Sequence, residues 1–317
     1  MRAGVVVTST LTEIDWLRLR AQTDPSTALE AIRPVFGSRS TMLHLGRAGR
    51  GHQGFARGVG IALGDASVGR MDWGGDSQRG WLRLDVTGEG CRFVSNWDAI
   101  HHLKNLPGAE IRRLDIALTT FMGEIKHEQV VEAHRAGMFT TGGRPPNLRQ
   151  ITSSDPAASR TCYVGSRQAD KYFRGYEKGK QLAAKLAPAG RWETFEVEGY
   201  PAGGVYRCEV EFKAGAEAIA WDAIAARDRF FAGAYPFCET VLPGIRPRTF
   251  CRGRKVGSRH DMAAALAHIR RQFGGTLYTA LVVNGGDIGA VWEQICGTAH
   301  SPRLLRAGVL LEAKVGA

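Results

Sequence analysis

The sequence predicts an α+β protein with a mostly antiparallel central sheet flanked by helices. Several short segments alternate apolar and charged residues, as "WLRLDVTG" does from Trp81, and a period of two is typical of half-buried strands. Helical patterns are interspersed among these segments, and the short turn "SRQAD" joins two of them into a hairpin. Interspersed helices together with a hairpin favour an antiparallel arrangement over a parallel doubly wound sheet.

Length and charge narrow the class of protein. The chain has 317 residues, 44% of them hydrophobic, which is enough to bury one large core or two moderate ones. Its 42 basic residues exceed its 31 acidic ones, for a net charge of +11. This excess favours a polyanionic partner, most often nucleic acid. A generally basic protein without such a partner remains the alternative.

Cysteine spacing and hydropathy argue against two further classes. No CxxC pair occurs among the six cysteines, so a zinc knuckle is not expected. The N-terminus lacks the apolar stretch of a signal peptide, and no apolar run reaches the length of a membrane span. We therefore expect a cytoplasmic protein with reduced thiols and no membrane contact.

The first half of the chain predicts strands and helices in alternation. Residues 5–8 are β-branched and indicate a short strand. Asp24 is a candidate N-cap before Pro25, and the glycine-rich residues 46–75 indicate curved strands with turns. After the strand at Trp81, "SNWDAIHHLKNL" predicts a helix capped at Ser95 or Asn96, and "EIRRLDIALTTF" predicts the next strand.

The second half continues this pattern and ends in helices. "KHEQVVEAHRAG" predicts a helix that ends at Gly137, and the turn-rich segment after it predicts a long loop. Strands are expected over 161–165, 171–178 and 205–213. Helices are expected over 216–227, 261–273 and 288–296. The C-terminal part is therefore expected to be mostly helical.

Three of these strands each present one apolar and one charged face. Residues two apart on a strand share a face. The charged faces carry Arg113 and Asp115; Tyr172, Arg174, Tyr176 and Lys178; and Arg207, Glu209 and Glu211. Lys171 belongs to the opposite face of its strand. If the apolar faces all point to the core, the charged faces coincide on one side of the sheet.

Such a surface has the groups for phosphodiester chemistry. The carboxylates of Asp115, Glu209 and Glu211 could hold a hard divalent cation, and the arginines and Lys178 could receive phosphate oxygens. Nearby cations would favour the phenolate of a tyrosine and so activate it. Alternating charged faces are also typical of any solvent-facing antiparallel sheet, and the pattern alone does not choose between Tyr172 and Tyr176.

The order of three motifs resembles one family. "RRLDIAL", then "YVGSRQADKYFRGYEKGKQ", then "YRCEVEF" resemble the RxD strand, the YxGSRxSDKxxRxYxKG block and the RxExE strand of the replication initiation factor family of filamentous phages and small rolling-circle plasmids. The middle block is the specific one. "FAGAYP" from Phe231 looks like the phage branch, and the resemblance covers roughly residues 70–300.

The resemblance implies a Rep/relaxase-like core that nicks origin DNA on one strand to start rolling-circle replication. Tyr176 matches the nucleophile, which would bond to the 5′ phosphate and leave a free 3′-OH, with Arg174 and Lys178 beside it. Asp115, Glu209 and Glu211 match the positions that would hold Mg²⁺ or Mn²⁺. The expected partners are origin DNA and the host helicase and polymerase in a bacterial cytoplasm, with monomer and homodimer both open.

Other positions are expected to contact DNA or to depart from the family pattern. Arg113, Lys171 and Arg207, together with Arg248, Arg252, Arg254 and Lys255 of the basic loop 246–260, are candidate DNA contacts, although a solvated loop is an equal alternative. Thr119 stands where relatives often have a second aspartate, Ala169 where they have serine, and Gly175 where they have an aliphatic residue. We expect Gly175 to mark a bulge that orients Tyr176.

These departures keep two other functions open. A DNA-binding regulator could retain the fold without the chemistry, and a mobilisation relaxase would perform related strand transfer. The predicted organisation is an N-terminal strand and helix region over 1–70, a catalytic domain over 71–240, and a basic loop with a helical region over 241–317.

Overall fold

The structure, a computed structural model, describes residues 11–141, 144–188, 191–215, 217–249 and 262–299, and only the backbone of 262–265 and 268. The chain divides into two compact units, Met1–Phe250 and Cys251–Ala317. The strand expected over 5–8 and most of the loop 246–260 lie outside the described residues.

The first unit is built on an antiparallel sheet, which confirms the predicted fold class. Its described strands are β1 (Glu13–Ala21), β2 (Leu43–Leu45), β3 (Gly49–Arg50), β4 (Arg57–Leu63), β5 (Ala66–Trp73), β6 (Leu82–Val86), β7 (Glu110–Thr120), β8 (Leu148–Ile151), β9 (Thr161–Val164), β10 (Lys171–Tyr176) and, after a small hairpin, β13 (Tyr206–Lys213). That hairpin consists of β11 (Glu196–Val197) and β12 (Tyr200–Pro201). The order in the large sheet is β2-β4-β5-β6-β1-β7-β13-β10-β9-β8, and β3 pairs with β4.

Helices connect these strands. In the first unit they are α1 (Pro25–Ile32), α2 (Gly88–Arg92), α3 (His101–Lys104), α4 (His127–Arg135), α5 (Lys178–Leu186), α6 (Arg227–Ala232) and α7 (Pro236–Thr240). The second unit contributes α8 (Met262–Val283) and α9 (Ile288–Ile295). None of the helices in the described part of the chain is long and apolar enough to cross a membrane.

The helix caps follow from local sequence. The Asp24 carboxylate accepts hydrogen bonds from the amides of Ser26 (2.9 Å) and Thr27 (3.0 Å), as expected of an N-cap before Pro25. Gly137 follows α4 with a φ of 78°, a left-handed conformation that suits glycine at this position.

One face of the sheet is the hydrophobic core. Leu17, Leu114, Ile116, Phe173 and Val210 are fully buried there. From the helical side, Phe237 of α7 meets Phe173 edge-on at a ring separation of 5.8 Å. Since the apolar faces of β7, β10 and β13 all point inward, their charged faces lie together on the other side, as the alternation predicts.

Four local expectations are wrong. The segment expected to be a long loop contains the edge strand β8, and the helix expected over 216–227 is replaced by a short turn before α6. The β6 strand is buried on both faces instead of one, because Arg83 and Asp85 form ion pairs within the sheet. The strand that carries Tyr176 ends there, so Lys178 is the first residue of α5.

Gly175 is not a bulge. It pairs in regular register with Cys208 on one side and Cys162 on the other. A Cβ at this position would meet the hydroxyl of Tyr206 at 2.9 Å, Phe173 Cε1 at 3.1 Å and Cys162 Sγ at 3.2 Å. The space that an aliphatic side chain would fill is therefore occupied by neighbouring side chains of the core.

Candidate active site

Strand register brings the predicted nucleophile to a carboxylate. In the pairing of β10 with β13, Tyr176 lies opposite Arg207 and Arg174 opposite Glu209. Diagonal neighbours on the same face are within reach of long side chains. The hydroxyl of Tyr176 donates a hydrogen bond to Glu209 Oε1 at 2.6 Å.

Two cations lie over the ring of Tyr176. The guanidinium carbon of Arg174 is 4.9 Å from the ring centroid, and Lys178 Nζ is 5.6 Å from it. Arg174 also pairs with Glu209. These contacts keep Lys178 beside the tyrosine although it belongs to a helix and not to the strand.

The tyrosine is held in its neutral form. Burial, and next the charge of Glu209, raise the pKa of Tyr176 well above its ordinary value, and these effects exceed the opposing effects of Arg207 and Arg174. Arg207 and Arg174 do favour phenolate, as expected, but burial and Glu209 outweigh them and raise the pKa of Tyr176 in the protein alone. The hydroxyl instead has a hydrogen-bonded proton acceptor in Glu209.

Arg207 connects this pair to strand β1. Its Nε donates to Glu209 Oε1 at 3.2 Å, its Nη2 to Asp15 Oδ1 at 2.7 Å and its Nη1 to Thr119 Oγ1 at 3.0 Å. Nη1 also pairs with Glu13. The side chain is only 8% exposed, and its donors are engaged with Glu209, Asp15, Glu13 and Thr119, so Arg207 neutralises carboxylates at this end of the face.

Glu13 and Asp15 are site residues that the sequence analysis missed. The register of β1 against β7 shifts between Ile14 and Trp16, so Asp15 is the extra residue of a β-bulge. Burial, opposed by Arg207 and reinforced by Glu209, raises the pKa of Asp15 to about 6. The only signal in the sequence is the acidic pair in "TEIDW", just before the alternating part of the strand.

Tyr176 lines a cleft of about 1000 Å³. Its wall carries the cations Arg92, Lys178 and Lys185 of α2 and α5, the carboxylates of Glu89 and Glu196, and the ring of Phe195 just before β11. Glu13, Asp15, Arg174 and Arg207 line the same cleft. A phosphodiester could therefore approach the buried tyrosine from this side, past positively charged groups.

The end of β10 is fixed by local contacts. Glu177 accepts hydrogen bonds from the amide of Arg160 (2.8 Å) and from its guanidinium (3.0 Å). A Cβ at Gly179 would lie 2.0 Å from the carbonyl oxygen of Ala202, so only glycine permits this close approach of α5. These contacts explain the "EKG" that follows Tyr176 and hold Lys178 in place.

The other predicted carboxylates form a second cluster farther along the same face. Arg113 donates to Asp115 from Nε at 2.8 Å and Nη2 at 2.5 Å, and it lies 3.2 Å from Glu211. Glu211 also pairs with Lys213 at 2.6 Å. Asp115 lies opposite Glu211 in the pairing of β7 with β13, and Glu211 lies opposite Tyr172 in the pairing of β13 with β10. This cluster is therefore beside Tyr172 and not beside Tyr176.

The remaining predicted DNA contacts lie elsewhere. Lys171 points to the core side, where Nζ donates to the carbonyl oxygen of Ala234 at 2.6 Å. Arg248 pairs with Asp222 at 2.5 Å. Arg252, Arg254 and Lys255 lie outside the described residues. The structure therefore does not bring Lys171 or Arg248 to Tyr176.

Comparison with known proteins finds one family model that matches part of the chain. Residues 109–247, which carry the RxD, tyrosine and RxExE strands, match the family model of the replication initiation factor. This region, slightly less than half of the chain, is therefore similar to the replication initiation factor family. No curated protein matches the chain.

A solved structure shares the fold. The rolling circle replication initiator protein from Geobacillus stearothermophilus is similar with a TM-score of 0.50 and 21% sequence identity, over 70% of this chain and 83% of that one. The similarity therefore includes residues outside 109–247. In the present protein the sheet extends to β1, which provides Glu13 and Asp15.

Proposed function

We propose that the protein starts rolling-circle replication by nicking and rejoining one strand of origin DNA through Tyr176. One observation carries this proposal: the hydroxyl of Tyr176 is hydrogen-bonded at 2.6 Å to Glu209, and the side chain lines a cleft together with Arg174 and Lys178. A nucleophile within hydrogen-bond reach of a base is the arrangement that activates a weakly acidic hydroxyl.

The reaction is a transesterification. The oxygen of Tyr176 attacks the scissile phosphorus and forms a phosphotyrosine at the 5′ end, while the bond from phosphorus to the 3′ oxygen breaks. Glu209 takes the tyrosine proton, and the departing 3′ oxygen takes a proton from solvent water to become a free 3′-OH. Because one ester replaces another, the 3′-OH can later reverse the reaction and reseal the strand.

Two cations are placed to support the phosphate. Arg174 and Lys178 lie over the ring of Tyr176 and line the cleft, so a phosphate bound there would meet both. Fixed positive groups stabilise the charge that develops on phosphate oxygens during transfer. Arg207 has a different role, because its donors are engaged with carboxylates and keep Glu209 in place.

We also propose a requirement for Mg²⁺ or Mn²⁺. Oxygen ligands are of the class that these ions prefer, and a bound ion would polarise the scissile phosphate. Among the described residues, however, no group of three or more acidic, histidine or cysteine side chains is arranged to hold a metal ion. Asp115, Glu209 and Glu211 each face a guanidinium, so no catalytic step is assigned to the metal.

The proposal has a direct test in a nicking assay. Supercoiled origin DNA is incubated with Mg²⁺ and with the wild type, Tyr176→Phe or the matched variant Tyr172→Phe. We expect relaxed circles and a covalent protein–DNA adduct from the wild type and from Tyr172→Phe, and neither product from Tyr176→Phe. Phenylalanine keeps the ring and removes only the nucleophilic oxygen.

Other outcomes would identify another function. Full activity of Tyr176→Phe would rule out this nucleophile. DNA binding without an adduct at any divalent ion would favour a regulator that retains the fold. A nick at a transfer origin instead of a replication origin would indicate a mobilisation relaxase. With nicking established, extension of the 3′-OH by a host polymerase and helicase would complete the proposed pathway, and sedimentation would decide between monomer and dimer.

A further inference from the structure

The Tyr172 end of β10 carries aromatic rings on the polar face of the sheet. Tyr163 of β9 lies opposite Arg174 in register, so it shares the face of Tyr172, Arg174 and Tyr176. The rings of Tyr163 and Tyr172 are nearly parallel, 15° apart, with centroids separated by 5.7 Å. On the basis of the sequence, packing would be the ordinary role of Tyr163, but its strand buries Cys162 and Val164 instead.

Arginines flank both rings. The guanidinium carbon of Arg149 is 5.4 Å from the centroid of Tyr163, and that of Arg167 is 5.8 Å from the centroid of Tyr172. Both arginines are exposed. Tyr172 is buried beneath these neighbours, whereas Tyr163 is partly exposed. An accessible aromatic ring beside exposed cations is the combination with which proteins bind unpaired bases and their phosphates.

The loop between β9 and β10 fixes this arrangement. Lys213 of β13 donates from Nζ to the carbonyl oxygen of Arg167, and its amide donates to the carbonyl oxygen of Asp170 at 2.8 Å. The Ser166 hydroxyl accepts from the amide of Gln168 at 3.2 Å. The backbone that carries Arg167 is therefore anchored from two sides before any ligand binds.

We propose that Tyr163, supported by the stacked ring of the buried Tyr172 and flanked by Arg149 and Arg167, forms a stacking site for unpaired bases of the DNA strand that Tyr176 cuts. The inference rests on the proposed function for the identity of the strand. Tyr172 and Tyr176 are four positions apart on one strand, about 13 Å at the usual rise per residue. Bases stacked here would hold the DNA a few nucleotides from the scissile phosphate.

Equilibrium binding tests the site without any chemistry. All variants are made in the Tyr176→Phe background and measured in EDTA by fluorescence anisotropy with a fluorescein-labelled oligothymidylate of about 20 nucleotides, longer than a typical single-strand site. A labelled duplex of equal length is the second probe. We expect Tyr163→Leu to weaken oligothymidylate binding about tenfold and to leave duplex binding unchanged. Tyr163→Phe keeps an aromatic ring and should bind both probes like its parent.

A matched control lies elsewhere in the protein. Arg20 stacks over Trp81 at 4.2 Å, so Trp81→Leu removes a similar aromatic–arginine pair near β6, and we expect it to leave binding unchanged. The salt dependence gives a second readout. Arg167→Gln should reduce the slope of binding against salt by about one, whereas Tyr163→Leu should keep the parent slope.

The binding measurements can contradict the stacking site in several ways. Three outcomes would overturn the stacking site. They are an equal loss of affinity for oligothymidylate and duplex in Tyr163→Leu, no loss of oligothymidylate affinity in Tyr163→Leu, or a loss of that affinity in Tyr163→Phe. If Tyr163→Leu lowers the melting temperature more than Trp81→Leu does, the decision rests on Arg167→Gln, for which an unchanged salt slope would also overturn it. Binding of oligothymidylate needs neither the Tyr176 hydroxyl nor a metal. The stacking site can therefore be confirmed when the nicking assay fails, and it can be overturned when nicking is observed.

Discussion

The two ends of strand β10 present the same residue type in different surroundings. At one end, the hydroxyl of Tyr176 donates to a buried carboxylate and the side chain lines a cleft. At the other, Tyr172 stacks on Tyr163 beneath Arg167. Both tyrosines share a face, so alternation alone could not distinguish them.

The difference lies in what the neighbouring strand places opposite. The RxExE strand sets Glu209 diagonal to Tyr176 and Glu211 opposite Tyr172. Glu209 accepts a hydrogen bond from the Tyr176 hydroxyl, whereas Glu211 pairs with Arg113 and Lys213. The proposed proton transfer therefore belongs to one end of the face, and the proposed base stacking to the other.

The largest expected effect comes from removing the base. Glu209→Gln keeps the shape and a hydrogen-bond acceptor but loses the basicity, so we expect adduct formation to slow by about 100- to 10,000-fold. The matched variant Glu211→Gln should slow it by less than about tenfold. Single-turnover adduct formation on a substrate that is already unpaired at the nick measures both.

The pH dependence sharpens this comparison. Without Glu209 the proton must leave to solvent, so the rate of Glu209→Gln should rise steadily with pH where the wild-type rate is level. A loss in Glu211→Gln as large as in Glu209→Gln, restored by more Mg²⁺, would contradict our assignment. It would instead support the metal set Asp115, Glu209 and Glu211 that the family resemblance implies.

Much of the fold and half of the site follow from the sequence. The charged faces of β7, β10 and β13 are predicted correctly, because alternation reports which side of a strand is buried. The partner strand β1 is not predicted, since strand order is a property of the whole sheet. Glu13 and Asp15 therefore remained unrecognised, although their carboxylates meet Arg207.

The errors have local causes. Lys178 was assigned to the strand because alternating charge continues past Tyr176, whereas "KGKQLAAKL" forms α5. The β8 strand escaped because four residues within a Pro- and Ser-rich segment carry too little pattern. At Gly175 the missing side chain suggested a bulge, but the hydroxyl of Tyr206 comes from a strand more than thirty residues away in sequence.

A smaller effect is expected from Asp15, which lines the cleft at the Tyr176 end. Its pKa of about 6 in the folded protein exceeds its ordinary value of 3.8, so the folded state binds this proton more tightly than the unfolded state does. Stability from this group is therefore lost as the pH rises from about 4 to 6. Asp15→Asn has no carboxylate to ionise and so avoids this loss. Its free energy of unfolding relative to wild type should therefore rise by about 1 kcal/mol when the pH is raised from about 5 to about 7.5.

Urea denaturation at the two pH values measures this gain. Asp24→Asn is the control, because hydrogen bonds from Thr27 and Ser26 lower the pKa of Asp24, which stays ionised in this window. Its stability relative to wild type should not change between the two pH values. A flat difference for Asp15→Asn as well would mean that Arg207 compensates the buried carboxylate fully.

A loss of stability is also expected from a change on the core face between the two tyrosines. In Gly175→Ala the new methyl group would press on the hydroxyl of Tyr206, 2.9 Å away, and overpacking of this kind costs about 1–2 kcal/mol. In the matched variant Gly60→Ala, on strand β4, nothing lies within 4 Å of the new Cβ, and stability should change little.

Removal of the obstructing oxygen tests the cause. If contact with Tyr206 is the source of the strain, Gly175→Ala combined with Tyr206→Phe should be less destabilised than the sum of the two single variants. Additive losses would instead assign the cost to Phe173 and Cys162, the next nearest neighbours. In either case β10 should keep its register, so both tyrosines remain on the polar face, and the single-turnover rate of Gly175→Ala should stay within about tenfold of wild type.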